Sequence, residues 1–215
     1  MRAMIISGGT IEKEFALAFI TKYQPEYIVA ADHGLLFCLE NDIRVDMVVG
    51  DFDSAPDGVL EKYTQRYQVP VRTFNPVKDA TDTEIAVQQV TEQGVDEVVL
   101  LGATGTRLDH VIGNMQCLHM FLEAGIRARI VDSHNQISLH EASFCIKKEE
   151  QFGKYVSFIP AGDSIQHLTL KGFKYPLMDW TVTNKDSLCI SNEILEDTAC
   201  VSFENSRMFM IQSRD

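Results

Sequence analysis

Val98-Val99-Leu100-Leu101-Gly102-Ala103-Thr104-Gly105-Thr106-Arg107-Leu108-Asp109-His110 passes from an unbroken apolar run, through a glycine loop, into a helical pattern. Past it, Val111, Met115, Leu118 and Leu122 recur at offsets of four, three and four, so one apolar stripe runs along a helix beginning just beyond His110. A short apolar run closed by glycine reads as a buried strand, and the stretch as a whole is one β-to-α step. The step repeats. Residues 4–6, 27–31, 47–49, 71–74 and 128–131 are further strand candidates, with longer helical patterns between them. One of these, 84–93, is capped by Thr81 or Asp82 and stopped by Gly94. Alternating β and α elements predict an α/β fold with a mainly parallel sheet. From about Ser133 the texture changes to short alternating stretches at 136–140, 155–159, 165–170, 198–203 and 208–211, punctuated by Gly, Asp, Asn and Pro. These predict a small antiparallel β-sandwich. The expected domains are 1–133 and 134–215, closely packed, since no Gly/Ser-rich or Pro-rich linker separates them.

Composition narrows the function. At 215 residues the chain suits one large or two small domains, and folding removes about 70% of the unfolded surface from water. Nineteen basic against thirty-one acidic residues leave a formal charge of −12, which argues against nucleic acid and anionic membranes as partners. A small phosphorylated ligand remains compatible, because a bound cation and a few local bases set the field within a pocket. Five widely spaced cysteines without a C-x-x-C pair suggest neither a disulfide framework nor a structural zinc site, so reduced, mostly buried thiols are expected. The first ten residues are too short an apolar stretch for a secretory or membrane segment, and a cytoplasmic protein is expected.

The chemistry is carried by acids in three turn-rich segments: Gly50-Asp51-Phe52-Asp53-Ser54, Lys78-Asp79-Ala80-Thr81-Asp82 and Gly105-Thr106-Arg107-Leu108-Asp109-His110. Each lies at or close behind a strand candidate. In an open α/β sheet the carboxyl ends of neighbouring strands share one crevice, so these acids gather there. Crowded carboxylates need protons, bases or a cation, and magnesium is typically held by one or two of them plus substrate phosphates. Taken alone, Asp51 and Asp53 fit a metal site or a helix cap equally well. Lys78 through Asp82 fits a phosphate site at a helix N-terminus or a capped helix start with a surface ion pair. Glycines at 102 and 105 let backbone approach phosphate, and the Arg107 fork can grip its oxygens. This is no P-loop, because the lysine-serine/threonine ending is missing. Ser7-Gly8-Gly9-Thr10 and Ala31-Asp32-His33-Gly34 add glycine backbone and a further acid, Asp32, to the same edge. His33 and His110 read as structural or surface histidines, and no Ser-His-Asp arrangement is defensible.

Taken together, Gly50-Asp-Phe-Asp-Ser54, Lys78-Asp-Ala-Thr-Asp82-Thr-Glu84, Gly105-Thr-Arg-Leu-Asp-His110 with Asn114, and Ile190-Ser-Asn-Glu193 resemble the thiamine pyrophosphokinases in order, spacing and strand context. The resemblance spans essentially the whole chain. It implies a Rossmann-like N-terminal domain, a C-terminal β-sandwich, and a homodimer whose active sites lie between subunits. It further implies magnesium-dependent transfer of the pyrophosphoryl group of ATP to thiamine, leaving AMP. By similarity, Asp51, Asp53 and Asp82 hold magnesium. Asp32, Lys78, Asp79, Thr81, Arg107, Asp109 and Asn114 line the nucleotide and phosphate site. Ser191 and Asn192, with Asp82 and Asp109, meet thiamine, and the catalytic set is Asp51, Asp53, Asp82, Arg107 and Asp109. Trp180 is a candidate for ring stacking. Two departures stand out: His33 and Thr106 occupy positions where the family commonly carries glycine. A second Mg-dependent phosphotransferase or phosphohydrolase, and a non-catalytic nucleotide-sensing module, are the alternatives.

Overall fold

A computed structural model describes residues 1–52, 58–72 and 80–215, and the chain divides into two units, Met1–Ser133 and His134–Asp215. In the first, β1 (Arg2–Ile6), β2 (Tyr27–Ala31), β3 (Met47–Val49), β4 (Val71–Arg72), β5 (Glu97–Leu101) and β6 (Arg127–Val131) alternate with α1 (Lys13–Tyr23), α2 (Gly34–Glu40), α3 (Val59–Tyr67), α4 (Asp82–Thr91) and α5 (Leu108–Glu123). The described pairings are all parallel and give the order β6-β5-β1-β2-β3-β4. The strands are continuous apolar runs because helices cover both faces of such a sheet, and from Ala3 to Ile6 and from Val98 to Leu101 almost nothing reaches solvent. From β1 the chain steps outward through β2, β3 and β4, then crosses to the other side of β1 for β5 and β6. That reversal leaves a crevice above the carboxyl ends of β1 and β5.

Three local outcomes differ from the sequence reading. The described part of β4 is Val71–Arg72, and residues 73 and 74 lie outside the described residues. Helix α5 starts at Leu108, not beyond His110, so Asp109 and His110 occupy its first turn. That turn is exposed, with Leu108 and Ile112 facing solvent, and the apolar stripe therefore gives no sign of it. The side turned inward is Asn114, Cys117, Leu118 and Phe121, while Val111, Met115 and Leu122 are half-buried beside it. Helix α4 opens at Asp82, and of the two candidate caps it is Thr81 whose hydroxyl accepts from the Glu84 N–H at 3.2 Å.

The outer edge of the sheet is pinned by one polar group. Tyr63 of α3 is fully buried, and its hydroxyl donates to the Ile43 carbonyl at 2.7 Å and accepts from the Val45 N–H at 2.8 Å. Burial pushes its pKa up to about 12. Tyr63→Phe leaves a buried N–H and a buried carbonyl without that partner, so the expected loss is about 2 kcal/mol of unfolding free energy. Urea unfolding measures it. A loss below about 0.5 kcal/mol would mean that the two backbone groups find other partners.

The second unit is a β-sandwich. One sheet runs β7 (Asn135–His140), β14 (Met208–Ser213), β9 (Tyr155–Pro160), β12 (Asn192–Glu193), all antiparallel. The other runs β8 (Phe144–Lys147), β13 (Thr198–Glu204), β10 (Ser164–Lys171), β11 (Leu177–Thr183), also antiparallel. Inward residues of both sheets interlock, including Val156, Phe158, Ile165, Leu168, Val201 and Met208, with Phe158 edge-on to Phe173 at 5.6 Å. Among the described residues, the fold class is the expected one: a mainly parallel α/β sheet and a smaller antiparallel sandwich.

The cysteine expectation needs correction. Cys38, Cys117 and Cys189 are free and buried, and burial raises their pKa to about 12, 11 and 11. Cys145 and Cys200, however, form a disulfide. They stand directly opposite one another on β8 and β13, a register that their separation of 55 residues in sequence does not reveal. Trp180 is about half exposed on β11, not in the core.

Candidate active site

A cavity of about 620 Å3 opens at the β1–β5 reversal. Its floor is two interlocked loops: the Gly9 N–H donates to the Gly102 carbonyl at 2.7 Å, and the Thr10 N–H to the Thr104 carbonyl at 2.8 Å. The approach is so close that a Cβ on Gly9 would lie 2.2 Å from the Thr104 carbonyl oxygen. Only glycine fits there. The outcome is a wall of main chain, low enough for phosphate oxygens to reach the backbone.

Acids collect on one side of this cavity. Asp32 follows β2, Asp51 follows β3 through Gly50, and Asp82 is the first residue of α4. Each offers a carboxylate oxygen, and the three oxygens lie within 4.8 Å of one another. All three residues are partly buried. Asp32 reaches this position through a left-handed backbone, φ 47°, locked by its N–H donating to the Val49 carbonyl at 2.9 Å. That bond ties the end of β2 to the end of β3. Three like charges this close repel by about 3 kcal/mol per pair at an effective dielectric near 20. Hard oxygen donors on a phosphate-accessible cavity fit a divalent cation of the magnesium class.

The opposite rim carries the cation. Arg107, on the residue before α5, extends its guanidinium to Asp109, with Nη2 donating to Oδ2 at 2.6 Å and Nε to Oδ1 at 3.3 Å. The hydrogen bond raises the Arg107 pKa and lowers that of Asp109. Asn114 is buried, and its amide donates to the Ala103 carbonyl at 2.8 Å, fixing the β5–α5 loop. Thr83 donates to the Ser7 hydroxyl at 3.1 Å and so ties the start of α4 to the β1–α1 loop. His33 stands against Gly8 and holds Nδ1 3.6 Å from Asp32 Oδ2; both it and Thr106 line the cavity.

In the second unit, Ser191 and Asn192 sit where the chain enters β12. Ser191 is exposed and left-handed, φ 58°, and its N–H donates to the Ser157 hydroxyl at 3.0 Å. A non-glycine residue held in that conformation costs energy and is frequently functional. Asn192 is buried, and its amide is spent on backbone: Oδ1 accepts from the Tyr175 N–H at 3.0 Å and the Glu193 N–H at 2.9 Å, while Nδ2 donates to the Tyr175 carbonyl at 2.8 Å. Beside this clamp Lys174 pairs with Glu193 at 2.7 Å, and the Tyr175 ring is largely exposed.

The structure therefore gathers Asp32, Asp51, Thr81, Asp82, Arg107 and Asn114 around one crevice, with Asp109 tied to its rim by Arg107. Asp53, Lys78 and Asp79 lie outside the described residues. Asp32 was expected among the nucleotide contacts and stands within the acid cluster instead. Adjacency of β2 and β3 was the signal for that, since their carboxyl ends must meet. Ser7 and Thr83 were not singled out as polar ties, and nothing local in the sequence marks them.

Family models for "Thiamin pyrophosphokinase, catalytic domain" and "Thiamin pyrophosphokinase, vitamin B1 binding domain" match residues 21–130 and 142–208. A thiamine pyrophosphokinase of Bacillus subtilis is 33% identical over 214 residues, 98% of each chain. The crystal structure of thiamine pyrophosphokinase from Bacillus subtilis superposes with a TM-score of 0.89 at 32% identity, covering all of both chains. Thiamin pyrophosphokinase from Geobacillus thermodenitrificans gives 0.86 at 32%, covering this chain fully and 98% of the other. Thiamin pyrophosphokinase from Candida albicans shares the fold, with a TM-score of 0.85 at 16% identity, over all of this chain and 89% of its own. An α/β crevice of this kind joined to a β-sandwich is that of a transferase. The chain belongs to the thiamine pyrophosphokinase family.

Proposed function

We propose that the protein is a magnesium-dependent thiamine diphosphokinase, which moves the pyrophosphoryl group of ATP onto thiamine and releases thiamine diphosphate and AMP. The observation that carries this reading is the convergence of Asp32, Asp51 and Asp82 on the glycine-walled cavity. Thiamine's primary hydroxyl attacks the β-phosphorus in line, AMP departs, and no covalent enzyme intermediate forms. Such transfers depend on positioning and charge neutralisation, which suits a site rich in acids and backbone amides.

Asp32 and Asp51 close the cation position from the strand ends, Asp82 closes it from α4, and Asp53 belongs with them by motif. Bound magnesium supplies charge neutralisation on the phosphates and polarisation of the attacked phosphorus. Arg107 turns its fork to phosphate oxygens. Asn114 and Thr81 hold the loop and helix that face the nucleotide, and Lys78 and Asp79 are assigned to the same surface. Asp82 and Asp109 orient thiamine from the first unit. Ser191 and Asn192 serve it from the second, in a homodimer whose active sites lie between subunits.

Within that set Asn192 acts by position. Its amide is saturated by the Tyr175 and Glu193 backbone, so direct contact with thiamine falls to the exposed Ser191 and the surface that Asn192 holds in place. Asn192→Leu is expected to raise the KM for thiamine at least about tenfold while leaving the KM for ATP unchanged, because two buried backbone groups of Tyr175 lose their partner. Steady-state kinetics with each substrate varied in turn decides it. Equal shifts in both KM values, or none, would remove Asn192 from the thiamine side.

The reaction itself is tested by incubating the protein with ATP, magnesium and thiamine and weighing both products. AMP with thiamine diphosphate is the expected pair. ADP with thiamine monophosphate overturns the proposal in favour of a simple phosphotransferase. ATP bound without turnover overturns it in favour of a sensor.

A further inference from the structure

The disulfide lies outside the crevice, and the roles assigned to the site leave it unused. On β13, Ala199, Val201 and Phe203 turn into the sandwich, so Cys200 between them turns out; on β8, Ile146 turns in and Cys145 out. Cys145 is exposed and Cys200 half-buried, so a solution thiol can reach the bond from outside. The strand it secures is the four-residue β8, at the edge of its sheet and paired only with β13 among the described strands. An edge strand this short has little else to fix it.

The residues just past β8 extend the effect of that tie. Lys148, one residue beyond the strand's end, donates its N–H to the Asp197 carbonyl at 2.9 Å and its Nζ to the Leu195 carbonyl at 3.1 Å. The Leu195 and Glu196 N–H groups donate to the Gly172 carbonyl at 2.9 and 3.1 Å, and Phe173 bridges Ile194. Gly172 and Phe173 lead to Tyr175, which Asn192 clamps. A covalent tie between Cys145 and Cys200, each three residues from the Lys148–Asp197 contact, therefore anchors the root of the 191–197 segment.

We infer that Cys145 and Cys200 form a reversible thiol–disulfide couple that sets the order of residues 191–197. Oxidation uses a low-molecular-weight disulfide such as glutathione disulfide. The Cys145 thiolate attacks one of its sulfurs and expels one small thiolate. The Cys200 thiolate then attacks the sulfur now carried by Cys145 and expels the second. Two protein thiols become one disulfide, and two electrons and two protons pass to the oxidant as two small thiols. Reduction runs the same steps backwards. In the cytoplasmic setting expected from the sequence the thiol form predominates, and oxidising conditions fasten the segment. The consequence for thiamine rests on the proposed roles of Ser191 and Asn192; the couple itself does not.

The test equilibrates the full-length protein in glutathione buffers from reduced to oxidised, traps thiols with a maleimide, and weighs the peptides holding Cys145 and Cys200. Both are expected to lose label together, while the buried Cys38, Cys117 and Cys189 do not change. Hydrogen exchange at residues 191–197 is expected to quicken about tenfold on reduction. The KM for thiamine rises about threefold, with kcat steady. Cys145→Ser should match the reduced protein in every buffer. Label on Cys145 in the most oxidising buffer, or a bond that native protein keeps in excess dithiothreitol, overturns the couple. Exchange that ignores redox state overturns its hold on the segment. Exchange that responds while the thiamine KM does not leaves the couple standing and removes residues 191 and 192 from the thiamine site.

Discussion

Asp51→Asn is expected to cut turnover at least about a hundredfold, roughly 2.7 kcal/mol of lost transition-state stabilisation, while the folded protein becomes no less stable. The two halves of that expectation have one cause. Asp51 shares a corner with Asp32 and Asp82, carboxylate oxygens within 4.8 Å, and three negative charges there oppose folding and favour a cation. Asparagine keeps the shape and removes one charge. The repulsion eases, and the cation position loses a strong oxygen donor together with its charge. An acid retained for structure would behave in the opposite way, costing stability and sparing activity. The measurement is paired: turnover at saturating ATP, magnesium and thiamine, beside thermal unfolding without magnesium. Near-normal turnover removes Asp51 from the metal site. A melting temperature that falls as far as activity does would mark it as a structural residue.

How far the sequence reveals this corner depends on which residues must agree. The strands at 27–31 and 98–101 are legible because burial on both faces leaves an uninterrupted apolar run, and the structure assigns strands over Tyr27–Ala31 and Glu97–Leu101. Acids directly after such runs are legible as crevice residues for the same reason. The membership of the acid cluster is not. Asp32 joins Asp51 because β2 lies beside β3 and because Asp32 itself is left-handed, and no local pattern encodes either. Strand β11 is missed because the β10–β11 ladder is irregular there. His167 and Asp179 are both left-handed and share a hydrogen bond at 2.6 Å, and the break in register hides the alternation that would identify a strand. The Cys145–Cys200 bond depends on register alone. Asn192 reads as part of a turn, and its clamp on Tyr175 appears only once residues 17 positions apart are brought together. Local burial is thus written in the chain, while convergence between elements is written in topology.

Arg107 tests the other rim of the site. Replacing it by lysine is expected to lower kcat/KM for ATP about a hundredfold, and replacing it by alanine somewhat further, with the start of α5 intact. The helix does not need the side chain, because Arg107 precedes α5 without making a side-chain cap. In the unliganded protein the guanidinium fork is occupied by Asp109, and both side chains are about two-thirds exposed. Water screens that pair, so it holds the fork in readiness without binding it tightly. Phosphate oxygens carry more charge than one carboxylate and present the geometry that a planar fork matches in two bonds. They displace Asp109, which is then released toward thiamine. A lysine ammonium supplies the charge and cannot form the paired bonds, so charge alone rescues little. Asp109→Asn separates the two roles: ATP binding should hold or tighten as the competitor for Arg107 weakens, while the step that uses thiamine slows. Activity of Arg107→Ala within about threefold of the parent would dismiss Arg107 as a phosphate ligand. A loss that falls equally on ATP and thiamine would assign it to the loop's architecture instead.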